Sequence, residues 1–434
     1  MLFLKETRVL ESKNAEVEVN AVNVYPDIEK HAILGMGGAF TEAAAYNYAN
    51  LTPDAKNEFL TRYFDKKRGA GYTLGRVHIG SCDFALGLYS EAYCEDLSDF
   101  NIEQDKKYII PMIKDAQKYF GDDFFLFASP WSPPAFMKDN ASLIGGGKLK
   151  REFYGTYAEY FAKFILAYAE EGIRIDAVTV QNEAHAIQTW ESCLYTAEEE
   201  ADFAVNHLRP TLDKNGLDDV KIIIWDHNRE RITERAKDSF SFDGANDAVW
   251  GMGFHWYSGD HYEQLDMFRA AYPDKEIFET ELCHESSESF NDNKRNKQYA
   301  IEYISALRHG ASGICDWNLM LDSEEGGPYH NRTTGGCAAA LYCDPKTGAL
   351  ITDGIYDVIY TIASEVSRGD RVVASTSAAA DIKELAVKRA DGSIMLFLLN
   401  LSGRRREINL RMNGRTSTFT LPANSLSANR IIYR

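Results

Sequence analysis

Ala177-Val-Thr-Val-Gln-Asn-Glu183 is a short apolar run that ends on an amide and a carboxylate. Its length and bounds read as a buried strand whose last residues leave the core. A second stretch, Glu276-Ile-Phe-Glu-Thr-Glu281, has the same form. A carboxylate at the C-terminal tip of a parallel strand is badly placed for packing and well placed for chemistry.

Working outward, the same unit recurs: an apolar run, then a stretch of helical periodicity. The strand candidates are 32–39, 72–79, 124–130, 177–181, 220–225, 252–256, 276–280 and 311–316. Between them lie amphipathic segments such as 152–171, with Tyr154, Tyr157, Phe161, Phe164, Ile165 and Tyr168, and 297–309, with Tyr299, Ile301, Ile304 and Leu307. Eight strands alternating with helices predict an α/β protein built as a (β/α)₈ TIM barrel. A doubly wound sheet needs a glycine-rich phosphate turn after its first strand. Gly35-Met-Gly-Gly38 lies within the strand and lacks that six-residue spacing.

After residue 370 the period changes. Segments 383–388, 393–400, 406–411, 416–420 and 429–433 are short strand candidates, with Ala390-Asp-Gly-Ser393 and Asn413-Gly414 as hairpin turns. Near the start, Val17, Val19 and Ala21 alternate with Glu16, Glu18 and Asn20; the parity then slips at Val22 and Val24, which suggests a bulge. This opening segment is expected to join the same β-unit. The expected division is 1–30 for N-terminal strands, 31–370 for the barrel and 371–434 for the C-terminal β-unit.

The 434 residues are 45% hydrophobic with a formal net charge of −18. Such an acidic chain is a poor partner for nucleic acid or anionic membrane. No apolar stretch approaches the length of a membrane span. The seven cysteines form no Cys-x-x-Cys pair, so neither a zinc site nor a redox motif is expected. Met1-Leu-Phe-Leu-Lys-Glu-Thr-Arg8 has no leader-like apolar core. The expected location is the cytoplasm, or outside the cell had a leader been removed.

Polar and aromatic residues gather where the strands end: Phe40-Thr-Glu42, Ser81-Cys-Asp83, Ser129-Pro-Trp131, Asn182-Glu183, Trp225-Asp-His-Asn228, His255-Trp-Tyr257, Glu281 and Asp316-Trp-Asn318. Sugars need this mixture, with rings for their CH faces and carboxylates and amides for their hydroxyls. Two carboxylates from different strands are what glycoside hydrolysis requires. Glu183 is the candidate acid/base and Glu281 the candidate nucleophile. The bland alternatives are a solvated helix-start carboxylate and a rim salt bridge. Glu279 and Glu285 compete with Glu281; alternation puts Glu279 and Glu281 on one side of the strand, so only position at the tip favours Glu281. Arg76, a cation within an apolar run, is expected to pair with buried carboxylates and orient them. Tyr257 is placed to hold the nucleophile, and Trp256 to pack. His78, His185 and His227 make no metal-ligand spacing, so no metal or other cofactor is expected. No Gly-x-Ser-x-Gly elbow is present.

These residues carry a resemblance. Gly35-Met-Gly-Gly-Ala-Phe-Thr-Glu-Ala-Ala-Ala45, Ser81-Cys-Asp-Phe84, Ala128-Ser-Pro-Trp-Ser-Pro-Pro-Ala-Phe-Met-Lys138, Val180-Gln-Asn-Glu183, His255-Trp-Tyr257, Phe278-Glu-Thr-Glu-Leu-Cys283, and Asp316-Trp-Asn-Leu319 with Glu325-Gly-Gly-Pro328 stand in the right order for family 30 of the glycoside hydrolases, the family of glucosylceramidase. The chain resembles that family from Gly35 to its C-terminus. The resemblance implies a barrel with a side β-sandwich built from both chain ends. It implies Glu183 as acid/base and Glu281, not Glu279, as nucleophile. It implies Asp83, Trp131, Asn182 and Trp317 as contacts to glucose, Tyr257 as the tyrosine beside the nucleophile, and Arg76 with His255 as supporting residues. The reaction implied is retaining, through a covalent glycosyl-enzyme with carboxyl groups about 5–5.5 Å apart. The implied partner is a small glycoside or oligosaccharide.

Two departures stand out. The family's acid/base is usually followed by proline, whereas Ala184 and His185 follow here. Tyr329-His-Asn-Arg332 does not align with the family's remaining sugar-binding asparagine. The leading expectation is a β-glucosidase; an endo-β-1,6-glucanase, a β-xylosidase or a β-fucosidase is the alternative within the family, and an inactive carbohydrate-binding barrel the alternative outside enzymes.

Overall fold

The computed structural model describes residues 1–10, 18–121, 123–284, 292–330 and 337–433. Glu16, Val17, Glu285, Asn331 and Arg332 lie outside the described residues. Eight parallel strands close into a barrel in chain order: Gly35–Ala39, Leu74–Ile79, Phe125–Pro130, Ala177–Thr179, Lys221–Asn228, Gly251–His255, Glu276–Leu282 and Gly313–Asn318, the last pairing with the first. Each falls on a run read from the sequence. Helices such as Tyr154–Glu170 and Asn293–His309 bury their apolar stripes against the outside of the barrel.

The glycines of the first strand serve packing. A Cβ on Gly37 would stand 1.7 Å from the Leu74 carbonyl oxygen of the neighbouring strand. Only a residue without a side chain allows that approach. Inside the barrel, Leu74, Phe127, Ile223 and Phe278 form an apolar plug. The Phe127 and Phe278 rings meet edge to face at 5.3 Å. Arg76, two residues after Leu74 on the inward face, sits above the plug with no exposed surface.

The second body is an eight-stranded sheet in the order Leu2–Leu10, Ser425–Tyr433, Ile394–Asn400, Ile382–Lys388, Arg371–Ser377, Ala21–Ala32, Arg406–Met412 and Arg415–Leu421. Val22, Val24, Leu396, Leu398, Ile408 and Leu410 share one core. The two halves of the sheet therefore face each other as a sandwich. Both chain ends meet in it, because Leu2–Leu10 pairs in parallel with Ser425–Tyr433. Ile394–Asn400 shows no alternation because both its faces are buried. Leu396 and Leu398 enter the sandwich core, while Met395, Phe397 and Leu399 pack in the cluster that includes barrel helices. Asn413 and Gly414 have φ of 51° and 71°, as the expected Asn-Gly hairpin requires.

Sequence reasoning expects strands within 1–30 without locating Leu2–Leu10, and it misses two features: Arg371–Ser377 is a strand, and a three-stranded sheet (Leu321–Asp322, Leu341–Cys343, Leu350–Thr352) follows the barrel. The opening alternation is also misread. Val19 is 71% exposed in a turn before the strand begins. The irregularity lies further on, where Val373 pairs with Glu29 and Ala374 with Tyr25. Pro26, which has no N–H to donate, falls in that bulge.

Candidate active site

The chemistry-bearing side chains are aimed by irregular backbone at the barrel's C-terminal rim. Glu183 has φ of 50°, a left-handed conformation. It is held because the Glu183 N–H donates to the Asp226 carbonyl (2.8 Å) and the Asn182 N–H to that of Pro130 (2.8 Å). On the seventh strand, Phe254 pairs with Glu279 and His255 with Glu281, so one residue is extra. This bulge corrects the alternation argument: Glu279 and Glu281 do not share a face. Glu279 is buried towards Glu302 of the Asn293–His309 helix, and burial and that neighbour's charge push its carboxyl well up. Glu281 enters the pocket. A similar bulge at Asp226 (φ 46°) on the fifth strand turns that carboxylate inward.

Arg76 is the hub. It donates to Glu281 Oε2 (2.7 Å), Asp226 Oδ2 (2.9 Å), Asn182 Oδ1 (2.8 Å) and Ser129 Oγ (3.1 Å). Trp131 and Trp317 lie over its guanidinium at 4.6 and 5.5 Å. The two indoles stack on each other at 5.0 Å. A buried cation with this many partners fixes the carboxylates it touches. The Tyr257 hydroxyl donates to the other Glu281 oxygen at 2.9 Å. Gln188 donates to Glu183 Oε2 at 3.0 Å. His255 lies between: its Nδ1 is 3.5 Å from Glu183 Oε1 and 3.9 Å from Glu281 Oε1. The two carboxylates can be no further apart than those spans laid end to end.

Electrostatics separates them. Burial alone would drive the His255 proton off, but Glu281, Asp226 and Glu183 around it raise the imidazole to about 9. Burial raises Glu183, and the approach of His227 and His255 outweighs it, so that carboxyl sits well below the usual range. For Glu281, burial wins over His255 and Arg76 and the carboxyl is raised. Asp83 is pushed well up by burial, with Glu281, Glu191 and Glu183 adding to it. The His255 and Glu183 shifts run in opposite directions, so these surroundings favour the charged forms of both.

Asp83, Trp131, Asn182, Glu183, Tyr257, Glu281 and Trp317 line one pocket of about 310 Å³. Arg76 and His255 lie beneath it, wholly buried. All nine residues singled out in the sequence therefore meet. Trp256 packs instead, against Tyr299 and His284, its Nε1 donating to the Cys283 carbonyl at 3.1 Å. Three strand-end polar residues go elsewhere. Thr41 caps the helix Glu42–Ala49, Glu42 accepts from the Leu86 N–H, and Asp316 accepts from Tyr72 and Tyr303 behind the wall. Sequence reasoning passes over Asp226, which joins Arg76, Thr280 (2.5 Å) and His255 (3.0 Å). It also passes over Gln188 and over the convergence of His227 with His255 on Glu183.

Residues 33–343 match the glycosyl hydrolase family 30 TIM-barrel domain, and residues 370–427 the family's β-sandwich domain. The chain belongs to glycosyl hydrolase family 30. It is a glycoside hydrolase, and its substrate is a carbohydrate. Among family relatives, it is 32% identical to the lysosomal acid glucosylceramidase of Mus musculus over 88% of this chain and 77% of that protein. It is 34% identical to putative glucosylceramidase 3 of Caenorhabditis elegans over 76% of this chain; the match spans just under two thirds (65%) of that protein. Among solved structures, SrfJ from Salmonella typhimurium superposes with a TM-score of 0.91 at 33% identity, covering 96% of this chain and 93% of that one. The endo-β1,6-glucanase BT3312 superposes at 0.86 with 27% identity, covering 94% of each.

Proposed function

We propose that this family 30 enzyme is a retaining β-glucosidase acting at the end of small glycosides. The observation that carries the reading is the single buried Nδ1 of His255 within 3.9 Å of both glutamates, which places them on one pocket. Glu281 has the surroundings of a nucleophile. One oxygen is fixed by Arg76 and the other by Tyr257, so its attack on the anomeric carbon is oriented. The stacked indoles and Asp83 receive the terminal glucose. Asn182 gives its carbonyl to Arg76, which leaves its NH₂ to bind the 2-hydroxyl. Glu183 protonates the departing oxygen with the proton that rests on His255, then takes one from water to release the sugar. The pocket lies at the small end of ligand sites, which suits one terminal sugar better than the middle of a polymer.

A second reading is an endo-β-1,6-glucanase. A neighbouring cavity shares Tyr257 and Cys283 with the pocket and is lined by Trp256, Tyr262, Asp260 and Gln298, groups suited to further sugars. The likeness to the endo-β1,6-glucanase structure points the same way. Products separate the two. Glucose alone, from aryl β-glucosides and from the ends of β-1,6-oligomers, supports the first reading. Internal cleavage of a β-1,6-glucan with little free glucose supports the second. Proton NMR of the first-formed product tests retention: the β-anomer is expected, and the α-anomer would contradict a double displacement.

A further inference from the structure

The spacing of histidines along the chain carries no metal signal, yet two of them converge with a carboxylate in the fold. His227 Nδ1 and His255 Nδ1 lie 3.7 and 3.5 Å from Glu183 Oε1. The three ligand atoms all fall within 4.8 Å of one another, the sole such cluster among the described residues. Neither Nδ1 has a hydrogen-bond partner. His255 is wholly buried, and its far nitrogen, Nε2, is engaged by Asp226 at 3.0 Å. A carboxylate on the far nitrogen is how metal-bound histidines are fixed in tautomer and orientation.

We propose that Glu183, His227 and His255 form a binding site for a borderline divalent transition-metal ion, Zn²⁺ above all, and that its occupancy stops glycoside hydrolysis by tying up Glu183. Two imidazoles and one carboxylate, with the pocket side open to water, make a zinc donor set with a free fourth position once the ion displaces the proton from His255 Nδ1. Binding therefore releases a proton and weakens as pH falls. Donor atoms of a tetrahedral zinc ion stand about 3.3 Å apart for bonds of roughly 2.0–2.1 Å. The observed 3.5 and 3.7 Å to Glu183 need only a small contraction, while the two Nδ1 atoms, within 4.8 Å of each other, close further by rotation of the partly exposed His227 ring. Ca²⁺ and Mg²⁺ do not fit, because they take oxygen ligands in larger number. The rival for a soft ion is the thiol pair Cys283 and Cys337, whose sulfurs lie 3.1 Å apart in the wall of the same pocket. An ion there would leave Glu183 free.

Co²⁺ titration of the intact chain tests this without relying on any substrate. The site predicts one Co²⁺ per chain, a visible d–d band typical of nitrogen and oxygen donors, and displacement by one equivalent of Zn²⁺. His227→Gln and, as a second variant of equal volume, Glu183→Gln should each weaken Co²⁺ binding at least about 10-fold, while Cys337→Ser leaves the band unchanged. With an aryl β-glucoside, Zn²⁺ should inhibit the parent chain reversibly, with recovery on adding EDTA. A sulfur-to-cobalt charge-transfer band that vanishes in Cys337→Ser would overturn the proposal. So would unaltered binding in both His227→Gln and Glu183→Gln, or no bound ion at millimolar Co²⁺. Were the chain to act on a different glycoside, the cobalt spectrum would stand and only the inhibition assay would change substrate.

Discussion

Glu183 has to give a proton in one half of the proposed reaction and take one in the other, and its surroundings are built for that exchange. Its carboxyl is held well below the usual range, while His255, 3.5 Å away, is raised to about 9 and favours the protonated form. Replacing Glu183 by Ala should cost about 10²–10⁴ in kcat/KM for a poor leaving group and far less for dinitrophenyl β-glucoside, whose departure needs no acid. Equal losses for both substrates would count against the acid role. His255 also ties stability to pH. Its imidazole rises from 6.5 to about 9 on folding. That contribution, of order 3 kcal/mol, is complete below pH 6.5 and fades as pH climbs through about 9. Melting curves of His255→Gln should lack this alkaline decline, though the variant starts less stable. At this scale most of the pocket is legible, since Asn182, Glu183, Tyr257 and Trp317 close their runs. What escapes is the direction in which side chains point. Glu279 and Glu281 obey alternation on paper, and an inserted residue in the strand parts them. Asp226 stands in a polar cluster, but nothing in its neighbours foretells the left-handed backbone that turns it inward.

The barrel strands are readable as elements because they are buried on both faces, so most are near-continuous apolar runs, interrupted where they carry Arg76 and His78 or Glu279 and Thr280. The sheet edges are not. Leu2–Leu10 carries lysine, glutamate, threonine and arginine, and its bounds stay undefined until its partner from the far end of the chain is known. Pairings across some 420 residues leave no local trace. The first barrel strand makes a sharper demand. With the Leu74 carbonyl 1.7 Å from where a Cβ would stand, Gly37→Ala should part the first two strands. The expected cost is about 3 kcal/mol or more, or failure to fold. A melting temperature within a degree of the parent would refute that packing account.

For the molecule as a whole, the sandwich and barrel share a core. Phe397, fully buried on the outer face of Ile394–Asn400, packs in the cluster that runs into the barrel helices. Phe397→Ala should remove about 3–5 kcal/mol. It should lower one cooperative transition for the entire chain, with aryl-glucosidase activity lost at that same temperature. A sandwich that melts separately, leaving activity intact, would show the two bodies to be independent. The proposed chemistry rests on something smaller than either body: Glu281 attacking one anomeric carbon while Glu183 serves the oxygen bonded to it, within a single pocket. The most direct test is to incubate the enzyme with an activated 2-deoxy-2-fluoro-β-glucoside, which slows the second step, and to map the trapped adduct by mass spectrometry. One fluoroglucosyl group esterified to Glu281 is the predicted result; an adduct on another carboxylate, or turnover of the reagent to α-fluoroglucose with no adduct, would contradict it.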